Sequence, residues 1–327
     1  MELGTAHAAN GEPKGNDEAL RIEAPDLRDQ PTHRQLITIG KAAVNAWIDD
    51  YAPSMGAALA FYTLFSITPL LLIVISVAGI WFGPEAARGE IFGQLQALVG
   101  SAGAAAIQGL LESVNRPASG IAGMVTGLIL MLVGATTVFV ELQDALDRIW
   151  RAPERQGSGL WHLLRTRLLS FGLILGIGFL MLVSLVVSAG LTAFESWASS
   201  HLVGWELLLA VFNQLLSFML VTAMFGMIYK LMPRARIEWR DVAFGALTTA
   251  TLFSWGKWLI GLYIGTSGVG SAFGAAGSLV ALLVWVYYSA QIFLLGAEFT
   301  WVYAHSLGSR RRKPVPDPQP LQAELRP

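Results

Sequence analysis

Few residues in this sequence are placed to do chemistry. Its five histidines, His7, His33, His162, His201 and His305, are scattered, with no HxH or HExxH spacing to hold a metal. There is no cysteine, which excludes disulfides, thiolate metal sites and cysteine nucleophiles. No phosphate-binding loop with its lysine is present, which argues against ATP-driven work by the chain alone. What remains is a set of polar residues inside long apolar runs, where a charge or an amide is costly and therefore informative. Lys257 stands in Trp255-Gly256-Lys257-Trp258. It lies about 7 residues from the end of its run, roughly 10 Å deep at 1.5 Å per residue. A charge near mid-membrane costs about 2.5–3.5 kcal/mol. Either its ammonium snorkels to the interface that the two tryptophans mark, or it faces inward to an anionic headgroup or carboxylate.

Asn213 and Gln214 sit in the preceding apolar run, at nearly the same expected depth as Lys257. They suit helix–helix hydrogen bonding, worth about 0.6 kcal/mol per contact, or an outward-opening polar pocket. Ser66 and Pro69 fall midway along the first run. Pro69 removes an amide donor and frees the carbonyl of Phe65, so a kink is expected, with Ser66 or Thr63 satisfying that region. Glu298 lies near one end of the last run, and Gln291 two turns deeper on nearly the same face. An ion pair between Glu298 and an arginine such as Arg148 is the expected use; a proton-coupling carboxylate is the sharper alternative.

The elements that must position these residues are membrane helices. Of 327 residues, 54% are hydrophobic and only 14% charged, against roughly 25% in soluble domains. Six stretches reach the ~20 residues a spanning helix needs: about 55–82, 118–141, 167–190, 205–229, 242–264 and 276–303. Helices are required because lipid cannot satisfy open backbone groups, and the runs are too continuous for barrel strands. Nineteen of the 22 Lys and Arg fall on one side of this arrangement, two on the other, and Lys257 within a span. The positive-inside rule makes the rich side the cytoplasm and puts both termini there.

The connections carry a second pattern. Before the first span, Leu36, Ile37, Val44, Trp47, Ile48 and Tyr51 recur at helical spacing, as in a helix lying in the membrane interface. After the second span, Leu142, Ala145, Leu146, Ile149 and Trp150 form a stripe on a short cytoplasmic helix. In the first outer connection, Ile91, Leu95, Leu98 and Val99, then Ile107, Leu110, Leu111 and Val114, suggest two short capping helices. Residues 1–33 are expected to be a disordered cytoplasmic tail without a cleaved signal peptide, 34–305 the six-helix membrane domain, and 306–327 a basic, Pro-rich cytoplasmic tail.

Four ordered segments resemble the YihY/BrkB family of bacterial inner-membrane proteins. The first is the run Ala57 to Leu70, AALAFYTLFSITPL. The second is Glu141 to Trp150, ELQDALDRIW. The third joins Leu231-Met232-Pro233-Arg234 to the run Trp239 to Ala246, WRDVAFGA. The last joins Gly274-Ala275-Ala276-Gly277-Ser278 to Leu283-Val284-Trp285-Val286-Tyr287-Tyr288 and Leu295-Gly296-Ala297-Glu298. The resemblance covers about residues 40–305. It implies six spans and an inner-membrane address. It carries an old ribonuclease BN label, a virulence label and suspected links to lipid export.

The expectation from sequence is an all-α integral membrane protein, multi-pass in the bacterial inner (plasma) membrane. Its expected work is transport or flipping of a lipid or amphiphilic envelope molecule. The candidate path comprises Lys257, Asn213, Gln214, Ser66, Pro69, Gln291 and Glu298. Expected partners are membrane lipids, anionic ones in particular, and an envelope protein at the outer helices. No cofactor, metal, nucleic acid or enzymatic activity is expected. The alternatives are a non-transporting scaffold for envelope assembly and, behind it, the ribonuclease.

Overall fold

The computed structural model describes residues 32–83, scattered positions from 85 to 111, 137–152, Gly176, Leu180, 205–266 and 277–310. The two tails, the expected span at 167–190, most of that at 118–141 and most of the expected outer capping helices lie outside the described residues. Among the described residues the regular structure is all helix.

Helix α1, Thr32–Asp49, ends at a sharp corner where Tyr51 takes φ 58. Helix α2, Ala52–Phe82, follows at once. Pro53 falls in its first turn, where the missing amide proton leaves no bond broken. The helix passes through Pro69 unbroken and stops at Gly83, whose φ of 82 favours glycine. Ser66 is buried, and its hydroxyl donates to the Thr63 carbonyl at 3.3 Å rather than to that of Phe65.

Helix α3 covers 137–149, so the chain leaving the expected second span runs on as helix into the ELQDALDRIW segment. Helix α4 is Trp205–Leu231, and Pro233 follows its end. Helix α5 is Trp239–Thr266 and helix α6 is Gly277–Ser306. The ends of α2, α4, α5 and α6 fall within about 2–4 residues of the sequence expectation. Two segments, Val211–Leu231 and Leu279–Ser306, are long and apolar enough to cross a membrane.

Helix α6 is the hub. It packs on α1, α2 and α5, and α4 packs on α5. The main core gathers at the end of the bundle where α1 and α3 lie, with Tyr229, Leu294, Val302, Ile39 and Leu146 fully buried there. Arg148, Arg151, Arg234, Arg236 and Arg310 are found here, so this is the basic end. A smaller cluster near the other end joins Leu71 and Ile75 of α2, Ile107, Leu111 and Leu282 of α6.

Glycines set how closely α5 and α6 approach. A methyl group on Gly296 would meet the Thr249 and Tyr229 hydroxyls, and one on Gly245 would meet Thr300. Between membrane helices there is little hydrophobic gain to be had, so backbone approach and dispersion supply much of the cohesion.

Helix α1 has a second apolar face beside the stripe read from its sequence. Ile39, Ala43 and Ala46 are its buried face, while Leu36, Ile37, Val44 and Ile48 are exposed. The sequence stripe and the packing face are therefore two different faces of one helix.

Candidate functional site

The basic end holds the polar constellation of this molecule. Glu298 is 1% exposed, in the part of α6 that faces the α1–α2 corner. Asp50 and Asp49, at that corner, bring negative charge toward it. Arg151, just beyond α3, supplies the opposing charge. Its guanidinium lies over the Trp301 ring, 4.4 Å from the centroid. Trp301 in turn stacks near His305, with centroids 4.5 Å apart.

Three buried oxygens here have no hydrogen-bond partner among the described residues: Asp50 Oδ2, Glu298 Oε1 and Gln291 Oε1. Gln291 is seven residues before Glu298, so both lie on the same side of α6. Its amide nitrogen reaches the Pro53 carbonyl at 3.5 Å, and its side chain fills the space left by Gly56. The seam between α6 and the start of α2 is thus lined by unsatisfied acceptors.

The backbone around the seam is strained as well. Tyr51 at φ 58 and Arg151 at φ 47 are the non-glycine residues with positive φ among those described. Each such conformation costs about 1–3 kcal/mol and persists only where the surroundings enforce it. Both flank the Glu298 cluster.

A frame of tighter contacts holds the cluster. Arg234 is bound to Asp147 of α3, side chain to side chain at 3.3 Å and through its amide at 2.8 Å. Gln143 donates to the Met232 carbonyl at 3.3 Å. Asp241, buried in the first turn of α5, accepts the Ser309 hydroxyl at 2.6 Å. Arg310 lies over Trp150 and donates to the Arg236 carbonyl at 2.6 Å. Arg148 lies over Tyr51, 6.0 Å from its centroid, and it is Arg151 that supplies the positive charge acting on Glu298.

The other candidates lie elsewhere. Tyr229 meets Thr249 at 3.1 Å, and Phe225 meets Phe253 at 5.6 Å between centroids, so α4 and α5 run antiparallel with a fixed register. That register puts Lys257 level with Val221. Asn213 and Gln214 are about seven residues further out, a step of roughly 10 Å rather than a shared depth. All three are exposed. Trp255 and Trp258 beside Lys257 are 68% and 62% exposed and, with Ser254, line a shallow surface recess. Lys257 therefore faces out from the bundle. Ser66 and Pro69 lie near the middle of α2, more than two turns beyond Gly56, the residue that meets Gln291. Of the seven candidates, Gln291 and Glu298 share one side of α6, two turns apart. Among the described residues, no three His, Cys, Asp or Glu side chains gather as metal ligands would.

Sequence reasoning missed Asp50, Arg151 and Trp301. The one signal for Asp50 was its place in an Asp49-Asp50 pair directly before the first long apolar helix.

The profile of the family described as Virulence factor BrkB matches residues 43–320. The chain belongs to the virulence factor BrkB family. It is 31% identical over 301 residues to a UPF0761 membrane protein of Pseudomonas paraeruginosa, covering 89% of this chain and 68% of the relative. A UPF0761 membrane protein of Pseudomonas aeruginosa is 30% identical over 287 residues, covering 84% and 65%. One of Azotobacter vinelandii is 31% identical over 278 residues, covering 83% and 64%. The chain thus spans about two thirds of the length of these relatives. No solved structure matches it. With its apolar helices, this BrkB-family chain is a membrane protein. Two of the segments that resemble the family in sequence meet at the basic end, where α3 binds the 232–234 turn.

Proposed function

We propose that this BrkB-family protein moves a lipid or other amphiphilic envelope molecule across the bacterial inner membrane, without being an enzyme. In this reading it crosses the membrane six times, with the basic end and both termini in the cytoplasm. The observation that carries the reading is the exposed position of Lys257 within a long apolar helix, between two exposed tryptophans and above a shallow recess. A cation held there meets anionic headgroups while acyl chains stay in the bilayer. Asn213 and Gln214, exposed roughly 10 Å further out, offer a second polar step for a headgroup. The partners in this reading are anionic membrane lipids, with no nucleic acid.

The test uses the full chain in vesicles of phosphatidylethanolamine and phosphatidylglycerol. Transbilayer movement of a fluorescent phosphatidylglycerol is followed for wild type and Lys257→Ala. We expect movement well above protein-free vesicles, and a loss of several-fold in the variant. Equal, background rates for both proteins would overturn the reading. The exposed aromatic surface of α4 and α5 also suits an envelope-assembly scaffold, and background rates together with a stably copurifying envelope protein would favour that role.

A further inference from the structure

The turn between α4 and α5 presents a surface that the transport reading does not use. Trp239, the first residue of α5, is 59% exposed, and Leu231, the last of α4, is 42% exposed. Lys230 reaches across the turn. Its ammonium donates to the Ile237 carbonyl and lies over the Trp239 ring, 5.4 Å from the centroid. Arg236 and Arg240, within three residues of Trp239, are both exposed. Asp241 is buried and turned to Ser309, so these three cations stand with one exposed acid, Glu238.

The backbone of this turn is fixed by its neighbours. Met232 and Ile237 are buried. Gln143 of α3 donates to the Met232 carbonyl, Arg234 is paired with Asp147, and Arg310 donates to the Arg236 carbonyl. A topology signal needs only charge, which a loose loop carries equally well. Cations and a tryptophan on a fixed backbone suit binding, because few further groups must be ordered by a ligand. The helix behind the turn decides the class of that ligand. Val211–Leu231 is long and apolar enough to cross a membrane, so the turn lies where this segment leaves the bilayer. A lipid phosphate at that level meets Lys230, Arg236 and Arg240, while its acyl chains run beside Leu231 and Trp239 holds the interface.

We propose that the α4–α5 turn is a binding site for an anionic phospholipid of the leaflet at the basic end, built on Lys230, Arg236, Trp239 and Arg240. Lys257 lies 18 residues beyond Trp239, roughly 27 Å along α5. The site is therefore separate from the Lys257 surface and does not depend on the transport reading.

The experiment uses the full chain, purified in mild detergent and stripped of lipid. Native mass spectrometry counts added phosphatidylglycerol or phosphatidylcholine bound to wild type, Arg236→Gln/Arg240→Gln and Trp239→Leu. Arg34→Gln/Lys41→Gln, which removes two exposed cations from α1, and Lys257→Ala are the controls. Gel filtration and circular dichroism first establish that each protein is folded. The double arginine variant keeps the Lys230 contacts and the Arg236 carbonyl in place. We expect wild type to hold phosphatidylglycerol several-fold better than phosphatidylcholine. That preference should fall several-fold in both turn variants and persist in both controls. Equal binding of the two lipids by wild type would overturn the site, as would an undiminished preference in both turn variants. An equal loss in Arg34→Gln/Lys41→Gln would reduce the effect to net charge and overturn it too. A loss confined to Lys257→Ala would put the lipid on the transport surface instead.

Discussion

At Gly296 the absence of a side chain allows α6 to touch both the Thr249 and Tyr229 hydroxyls. The Tyr229 hydroxyl in turn donates to the Phe293 carbonyl at 2.7 Å. Gly296→Ala forces a methyl group into this network, and overpacking of this kind costs about 1–3 kcal/mol. We expect a clearly lower unfolding temperature in detergent. Gly261→Ala is the control, since nothing lies within 4 Å of its new methyl group. Its unfolding temperature should hold or rise slightly, because alanine favours helix over glycine by up to about 1 kcal/mol. A Gly296→Ala variant as stable as wild type would show that the α5–α6 seam has slack. The same residue scale explains why Glu298 was legible and Asp50 was not. A carboxylate inside an apolar run stands out in sequence, whereas Asp50 lies in a polar stretch like many surface residues.

Helix α1 makes its own prediction. Its buried face, Ile39, Ala43 and Ala46, sits on α6, and its other apolar face, with Val44 at 44% and Ile48 at 56% exposure, is left open. Asn45 is exposed between these faces. A helix with one face on protein, one apolar and open, and one polar matches the interfacial position expected from its sequence. The native chain has no cysteine, so single cysteines can be read without background. In vesicles, a spin label at Val44→Cys should be relaxed by oxygen dissolved in the acyl region. One at Asn45→Cys should be relaxed by a water-soluble nickel complex. Labels at both positions responding alike to the nickel complex would place α1 in water. The sequence could supply the periodicity of α1 but not its division of faces, because alanines such as Ala43 and Ala46 carry too little hydrophobicity to reveal a packing surface.

For the whole molecule, the charge asymmetry predicts a topology that can be measured. Arg88 and Arg236 are both exposed, and the proposed six-span arrangement would put them on opposite sides of the membrane. In intact cells with a permeabilised outer membrane, an impermeant maleimide should label Arg88→Cys and spare Arg236→Cys until the inner membrane is opened. Labelling of both in intact cells, or the reverse pattern, would refute the orientation. The bundle is also uneven along its length. Its basic end is packed around α6, while residues 211–215 of α4 and much of the outer half of α5 are exposed. That asymmetry suits a protein with a firm base and a working surface above it.

Composition, run length and the placement of arginines determined by themselves that this chain is helical and belongs in a membrane, because lipid demands long apolar helices with satisfied backbones. They also gave the ends of α2, α4, α5 and α6 closely, since these follow local hydrophobicity and a breaker such as Pro233. Only the tertiary structure decided which polar residues meet. Equal distance from a helix end does not fix height in the bundle, so Lys257 stands apart from Asn213 and Gln214 once the Tyr229–Thr249 contact sets the register. Nor does charge sign alone choose partners. Glu298 lies near Asp50, with Arg151 at hand, because the Tyr51 corner and the end of α3 converge on one turn of α6.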